Sequence, residues 1–142
     1  MKLNKKGFTL VELLAVIVVL AIIALIGYTV VGDVITTSQT KADKISVENF
    51  AKALSNTVLM DKVDATKGLS TTDIASASTK DSDAINALKL DGTTAANIYS
   101  GDKVTCTSIS VTDAGVVTLA GCYAGNRSDN TYKYENNTVT AE

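Results

Sequence analysis

The sequence predicts an α+β fold in which one long N-terminal helix packs against a small antiparallel sheet. Two observations support this prediction. An apolar run over residues 8–31 passes into an amphipathic pattern of helical period, and β-branched segments separated by Gly- and Asn-containing turns follow near the C-terminus. A chain of 142 residues is long enough for one domain beyond such a helix.

The composition excludes several kinds of catalytic site. The chain has no His, so a Ser-His-Asp triad, a Cys-His pair and any His metal site are excluded. We find no nucleophile beside a base and no phosphate-binding Gly loop, and therefore predict no enzyme, no metal and no cofactor. The formal net charge of −2 offers no basic surface, so general nucleic-acid binding is not predicted.

The hydrophobicity is concentrated at the N-terminus. Three lysines precede residue 7, and Phe8–Val31 then contains one charged residue, Glu12. The uncharged stretch Leu13–Gly32 covers about 30 Å as a helix, the thickness of a bilayer core. The preceding lysines keep the N-terminus in the cytoplasm, so the chain after Asp33 is predicted to face outward.

Two ordinary interpretations compete for this segment: a cleavable secretory signal peptide and a permanent single-span anchor. Glu12 argues against both, because a carboxylate inside a membrane segment is costly and usually functional. The run is also long for a signal peptide, and no clear small-residue cleavage site ends it.

The motif around Glu12 has a more specific interpretation. Residues 5–14 read Lys-Lys-Gly-Phe-Thr-Leu-Val-Glu-Leu-Leu and resemble the class III signal of type IV pilins and pseudopilins. The resemblance implies that a prepilin peptidase cuts between Gly7 and Phe8 and that the new N-terminal Phe8 is N-methylated. The mature chain would have 135 residues, with Glu12 as its fifth.

The same resemblance assigns Thr9 and Glu12 to assembly and register. Cleavage exposes a protonated amine at Phe8, and packing of apolar helices would bury that amine. Glu12 of a neighbouring subunit can pair with it, whereas a wrongly staggered neighbour would leave both charges unpaired. We hypothesise that this pair fixes the axial step of a filament.

The implied function is a structural subunit of a type IV pilus that supports adhesion, twitching motility, aggregation or DNA uptake. Implied partners are other copies of the chain, minor pilins, the prepilin peptidase, a platform protein and an assembly ATPase. The implied location is the cytoplasmic membrane before assembly and the cell surface afterwards. Alternatives are a pseudopilin of a type II secretion or competence system and, more remotely, a permanently anchored extracellular binding module.

The implied architecture is a pilin-like lollipop. We expect a leader at residues 1–7, a membrane and filament-core helix at 8–32 and an extracellular head at 33–142. Within the head we expect an amphipathic helix at about 33–67, a connecting region at about 68–97 and a sheet at about 98–142. Gly27 and Gly32 are either ordinary glycines of a membrane helix or a place where the helix unwinds under tension.

An apolar stripe of helical spacing marks the second half of the long helix. Its members are Val47, Phe50, Ala51, Leu54 and Val58. Ala42 and Ile45 extend the edge of the stripe, and Asp43 is predicted to lie outside it. Gly68 is predicted to be the C′ residue that ends the helix after Lys67.

The connecting region is predicted to contain a short helix at about 82–90, ended by Asp91 and Gly92. The segment Lys80-Asp81-Ser82-Asp83 is interpreted as a helix start with capping carboxylates, because it lacks the Gly and Glu of a calcium-binding EF-hand loop.

Four strands are predicted at residues 104–112, 116–123, 132–135 and 138–140. The loop Asp113-Ala114-Gly115 suits a bulged hairpin between the first two strands, and Asn136-Asn137 suits the last turn. Secretion pseudopilins often bind calcium near the C-terminus, but the spacing of Asp129, Asn130 and Glu135 forms no recognisable signature.

The length of the hairpin loop also predicts how the two cysteines, Cys106 and Cys122, are placed relative to each other. A three-residue loop places Thr112 opposite Val116, and the same register places Cys106 opposite Cys122 within disulfide distance. An extracellular head is an oxidising environment, so a disulfide is predicted, with a buried reduced pair as the alternative. A two-residue loop would separate the thiols.

Overall fold

The computed structural model describes residues 8–90, 92 and 94–142. The chain divides between Gln39 and Thr40 into an N-terminal unit and a C-terminal unit (Thr40–Glu142). The leader at residues 1–7 lies outside the described residues. The helices are α1 (Leu10–Val63), α2 (Thr71–Ser76) and α3 (Ser82–Asn86). The strands are β1 (Lys89–Leu90), β2 (Thr94–Ala95), β3 (Val104–Thr105), β4 (Ser108–Val111), β5 (Val117–Ala124), β6 (Tyr132–Glu135) and β7 (Thr138–Ala141).

Within the C-terminal unit, one face of α1 forms a wall of the hydrophobic core. The predicted stripe is confirmed, since its five members are at most 2% exposed: Val47, Phe50, Ala51, Leu54 and Val58. They belong to one core cluster with Leu119 of β5 and with Tyr132 and Tyr134 of β6. The predicted α+β fold, a long helix packed against an antiparallel sheet, is therefore confirmed.

The N-terminal end of this stripe differs from the prediction. Asp43 is fully buried, whereas Ile45 is 56% exposed and Ala42 is exposed. Asp43 lies one helical turn before Val47 and so shares its face. The Asp43 carboxylate can be buried there because it forms an ion pair with a cation 84 residues later in the chain.

That cation is Arg127, the only arginine of the chain. Its Nε donates to Asp43 Oδ1 at 2.8 Å, and its Nη2 contacts the same oxygen. Nη2 also lies 3.3 Å from Asp102 Oδ2. The hydrogen bond and charge of Asp43 raise the pKa of Arg127, so the guanidinium stays charged.

Tyr132 is buried close to the same ion pair. Burial raises the pKa of its hydroxyl, and the negative charge of Asp43 raises that pKa further, while Thr40 and Arg127 lower it. The phenol therefore stays neutral beside the Asp43 carboxylate.

Helix α1 ends at Val63, four residues before the predicted end at Lys67. Asp64 Oδ1 accepts from the backbone N of Thr66 at 3.0 Å and from its Oγ1 at 2.6 Å. Together with Lys67, these bonds lower the pKa of Asp64 to about 2. The competing side-chain bonds replace the next helical turn.

Gly68 is therefore not the residue that ends the helix by a left-handed conformation. It lies against α1, where a Cβ atom would come within 2.0 Å of Asp61 N and 2.3 Å of Thr57 O. The next residue is anchored by a buried hydrogen bond from Leu69 N to Thr57 Oγ1 at 2.9 Å. A glycine is required because the returning chain touches the helix backbone.

The connecting region is more ordered than predicted. Helix α2 was not predicted, although its capping box is visible in the sequence: Asp73 N donates to Ser70 Oγ at 3.2 Å, and Ser70 N donates to Asp73 Oδ2 at 3.0 Å. Asp81 caps α3 by accepting from Ala84 N at 2.8 Å, which confirms the predicted capping role.

The predicted helix over 82–90 is too long, because α3 ends at Asn86. The Asn86 side chain binds both backbone groups of Tyr99, at 2.7 and 3.0 Å, and holds the returning chain beside α3. Residues 89–90 then form β1, which pairs with β2. Asp91, part of the predicted helix stop, lies outside the described residues.

The main sheet is antiparallel and has five strands. Strand β5 is central: β3 and β4 pair with one of its edges and β6 with the other, and β7 pairs with β6. The four predicted strand regions are present. The first is divided, however, because Cys106 N leaves the ladder and donates to Lys80 O at 2.8 Å.

The predicted hairpin geometry is confirmed. Thr112 N donates to Val116 O at 2.9 Å across the three-residue loop, and β4 pairs with β5 in the predicted register, with Val111 opposite Val117. The last turn is also confirmed, since Asn136 and Asn137 both have positive φ, 52° and 60°.

A β-bulge lies in β5 between Leu119 and Cys122. Gly121 has φ 58°, and an added Cβ would lie 2.3 Å from Thr107 Oγ1. Its N–H donates to Glu142 Oε2 at 2.7 Å. The C-terminal side chain thus satisfies a donor that the bulge turns away from the ladder.

We predict that Gly68→Ala lowers the free energy of unfolding of the C-terminal unit by about 3 kcal/mol, because the new methyl group would collide with helix backbone that cannot move. Thermal unfolding of the full chain in detergent, followed by near-UV circular dichroism, measures this. Gly27→Ala is the control, because nothing lies within 4 Å of its Cβ position. Equal melting temperatures for the two variants would contradict the close approach at Gly68.

We predict that Arg127→Met is strongly destabilising, because it leaves the Asp43 carboxylate buried without a partner, a cost of about 3–5 kcal/mol. The control is Lys133→Met, which removes an exposed pair with Glu135 and is expected to change the melting temperature little. Adding Asp43→Leu to Arg127→Met should recover much of the loss. If the double variant is no more stable than Arg127→Met alone, the unpaired buried carboxylate of Asp43 is not the cause of the lost stability.

Candidate functional site

The predicted assembly residues lie at the start of the N-terminal unit, where Phe8 and Thr9 precede the first residue of α1. Phe8 is 86% exposed. Gly7 lies outside the described residues, so the cleavage position remains a prediction. Thr9 and Glu12 nevertheless contact each other, and Phe8 is the residue directly before Thr9.

Thr9 and Glu12 form a reciprocal pair of caps. Glu12 N donates to Thr9 Oγ1 at 3.3 Å, and Thr9 N donates to Glu12 Oε2 at 2.9 Å. The Thr9 hydroxyl also donates to Glu12 Oε2 at 2.9 Å. This is the capping-box pattern, which satisfies free N–H groups at a helix start. The Thr-x-x-Glu spacing of residues 9–12 was the signal that could have predicted it.

The two carboxylate oxygens of Glu12 have different surroundings. Oε2 accepts both hydrogen bonds that Thr9 donates to the carboxylate, whereas Oε1 receives no hydrogen bond from the described residues. The helix macrodipole also favours a negative group in the first turn. Glu12 is therefore held in place by its own chain while one oxygen remains able to accept from another group.

The helix that follows is apolar on all sides. Every Val, Leu, Ile and Tyr side chain from Leu10 to Ile35 is at least 50% exposed. Within the described residues, α1 is the one helix long and apolar enough to cross a membrane, with a mean hydropathy of 3.1 over its most apolar 18-residue window. A contiguous apolar surface of this size marks a site of interaction with a membrane or with another protein.

Gly27 and Gly32 lie inside this apolar half. Helix α1 continues through both, and nothing in the described structure lies within 4 Å of a Cβ atom added at either position. The described contacts therefore give neither glycine a packing role in the single chain.

The cysteines are joined as predicted. Cys106 and Cys122 form a disulfide with 4.0 Å between their Cα atoms, and both side chains are nearly or fully buried. The residues on either side share one register, since Val104 pairs with Ala124 and Ser108 with Ala120. The disulfide joins the segment between β3 and β4 to β5, next to the β5 bulge.

Several of the acidic residues named from the sequence form ion pairs with lysines. Lys103 Nζ lies 3.6 Å from Asp81 Oδ2 and 3.3 Å from Asp83 Oδ2. Glu135, considered for calcium, pairs with Lys133 at 2.7 Å. Across the part of the chain that the structure describes, no group of three or more His, Cys, Asp or Glu residues is placed to hold a metal ion.

One comparison with known proteins gives a match. The family model for the prokaryotic N-terminal methylation motif matches residues 2–28. This motif is the class III signal of type IV pilins, so the resemblance predicted from residues 5–14 is confirmed, and the match supports a protein of type IV pilin or pseudopilin type. No curated protein and no solved structure matches the chain.

We predict that replacing both cysteines, Cys106→Ala with Cys122→Ala, lowers the free energy of unfolding by about 3 kcal/mol, as expected for loss of a cross-link that closes a loop of this size. Guanidinium unfolding of the full chain in detergent, followed by tyrosine fluorescence, measures the change. Wild-type protein with reductant should gain the mass of two hydrogens and unfold at the lower midpoint. A midpoint that does not change would contradict a stabilising disulfide.

Proposed function

We propose that this chain is the structural subunit of a type IV pilus. In this proposal it is stored in the cytoplasmic membrane, cleaved between Gly7 and Phe8, methylated at Phe8 and polymerised through its apolar helix. Residues 8–32 would form the filament core, and residues 33–142 the extracellular surface. The single observation that carries the proposal is the matched methylation motif, with one carboxylate at a fixed place in its apolar run.

The capping box supports a two-state role for Glu12. In the stored subunit, the Thr9 groups would satisfy Oε2 and reduce the cost of holding a carboxylate in an apolar environment. In the filament, Oε1 would accept from the protonated Phe8 amine of a neighbouring subunit. The amine and the carboxylate would then be buried as a pair, which is far less costly than burying either alone.

The exposed apolar half of α1 supports membrane storage followed by self-association. A surface of this size is satisfied by lipid before assembly and by equivalent helices afterwards. Because lipid and a neighbouring apolar helix are similar surroundings, hydrophobic burial alone would not select one stagger of the helices. The pair formed by the Phe8 amine and the Glu12 carboxylate would select the correct stagger.

By this proposal the partners are other copies of the chain, minor pilins, the prepilin peptidase, the platform protein and the assembly ATPase. Adhesion, motility, aggregation or DNA uptake would follow from the filament. A pseudopilin of a type II secretion or competence system shares the motif and is the second candidate. A permanently anchored binding module would retain Met1 and would not polymerise.

We predict that Glu12→Gln strongly reduces the yield of filaments while leaving processing intact. The neutral amide keeps the size of the side chain but leaves the neighbouring amine buried without a counter-charge, so filament yield should fall about 100-fold. Sheared filaments are quantified from the native host, and the intact mass of the membrane-bound subunit reports loss of Met1–Gly7 and gain of one methyl group.

Leu13→Ala is the matched control, because it changes the adjacent residue without altering charge, and it should still give filaments. Normal filaments from processed Glu12→Gln would overturn the register role of Glu12. A wild-type chain that retains Met1 in its native host would overturn the pilin proposal itself.

A further inference from the structure

A polar groove in the C-terminal unit has no part in the proposed assembly mechanism. It has a volume of about 540 Å³ and lies between residues 52–56 of α1, residues 115–117 at the end of the hairpin loop and the start of β5, and residues 134–137 at the end of β6 and in the turn after it. Three exposed side-chain amides line it: those of Asn56, Asn136 and Asn137. We call it the amide groove. Its volume falls within the range of small-ligand sites.

The walls of the amide groove are held in place by hydrogen bonds between its own elements. Ser55 Oγ donates to Gly115 O at 2.6 Å, which joins α1 to the hairpin loop. Tyr134 is 3% exposed, and its hydroxyl donates to Asn137 Oδ1 at 2.9 Å. The groove is therefore preformed, and preformed sites lose little conformational entropy on binding.

The amides that line the groove retain free hydrogen-bonding capacity. Asn137 uses Oδ1 for Tyr134, while its Nδ2 has no partner in the described structure. The side-chain amides of Asn56 and Asn136 also make no hydrogen bond with described residues. The groove thus offers donors from three amides and acceptors from two.

The charge of the groove is already compensated. Lys52 is its one charged lining residue in the described structure, and its Nζ lies 2.6 Å from Glu48 Oε1. The hydrogen bond and charge of Glu48 raise the pKa of Lys52, so the Lys52 ammonium stays charged beside Glu48. Val116, 54% exposed, adds an apolar surface beside the amides.

We propose that the amide groove binds a neutral polyhydroxylated ligand, the end of a glycan chain. Hydroxyl groups both donate and accept, as amides do, and the C–H face of a sugar ring can lie against Val116. An anionic ligand would need an unpaired cation. A peptide strand would need a free backbone edge, and Gly115 O is already occupied by Ser55.

The test uses the full chain in nanodiscs of phosphatidylethanolamine and phosphatidylglycerol, with empty nanodiscs as the blank. The probes are maltotriose, cellotriose, triacetylchitotriose and lactose, with polygalacturonate as an anionic comparison, and saturation-transfer NMR reports binding. We expect at least one neutral sugar to bind, and Asn56→Ala and Asn136→Gly each to weaken that binding about fivefold or more. Gly at residue 136 keeps the positive φ of the turn.

Asn130→Ala is the matched control, because Asn130 is an exposed amide outside the groove and its replacement should leave binding unchanged. The proposal is overturned if none of the neutral sugars binds, if polygalacturonate alone binds, or if binding survives both groove variants. Because the unassembled chain is used, none of these results depends on filament formation.

Discussion

The buried carboxylate of Asp43 sets the strictest condition on the packing of the C-terminal unit. It lies on the face of α1 that is otherwise apolar, and its cation comes from a residue 84 positions later, in the connection after β5. The helix face can therefore be covered only when that connection has also reached its native position. An arginine suits this task because its guanidinium remains charged and can bind two carboxylates at once, here Asp43 and Asp102. The ion pair therefore couples the packing of this face of α1 to the position of the connection between β5 and β6.

Strand β5 is the central strand of the main sheet and organises the rest of the C-terminal unit. It pairs with three other strands, and its bulge between Leu119 and Cys122 shifts the register of its pairing with β6, while its pairing with β3 and β4 keeps one register. The backbone N–H groups near the bulge donate hydrogen bonds to acceptors other than regular ladder partners. Thr107 N donates to the carbonyls of Ala120 and Gly121, Cys106 N binds Lys80 O, and Gly121 N binds the Glu142 side chain. Beside the bulge, the segment before α3 and the last residue of the chain are therefore hydrogen-bonded to the sheet.

Features that depend on neighbouring residues were predictable from the sequence. The hairpin register followed from the length of the 113–115 loop, and that register located the disulfide. The stripe from Val47 to Val58 followed from helical period. The motif around Glu12 could be identified because its chemistry requires a fixed local order of residue types.

Features that depend on distant contacts were not predictable in the same way. Asp43 was placed outside the stripe because its partner, Arg127, has no sequence relation to it. Gly68 was interpreted as a helix end because a close approach to Asp61 depends on the path of the chain after the helix. The short pair β1 and β2 replaced the end of a predicted helix, where the tertiary contacts of Asn86 with Tyr99 outweigh local helical preference.

The disulfide has a mechanical consequence when the chain is loaded along its length. A pulling force that enters from Thr105 and leaves toward Tyr123 passes through the two sulfur atoms rather than around the β4–β5 hairpin. The fifteen residues between the cysteines carry none of that tension, so the hairpin stays folded while segments outside it extend. Strand β5 loses this protection beyond Cys122, where its last two residues pair with β3. In an oxidised chain under load, extension therefore begins outside the covalent loop, and the loop sets a fixed limit on how far the C-terminal unit can lengthen.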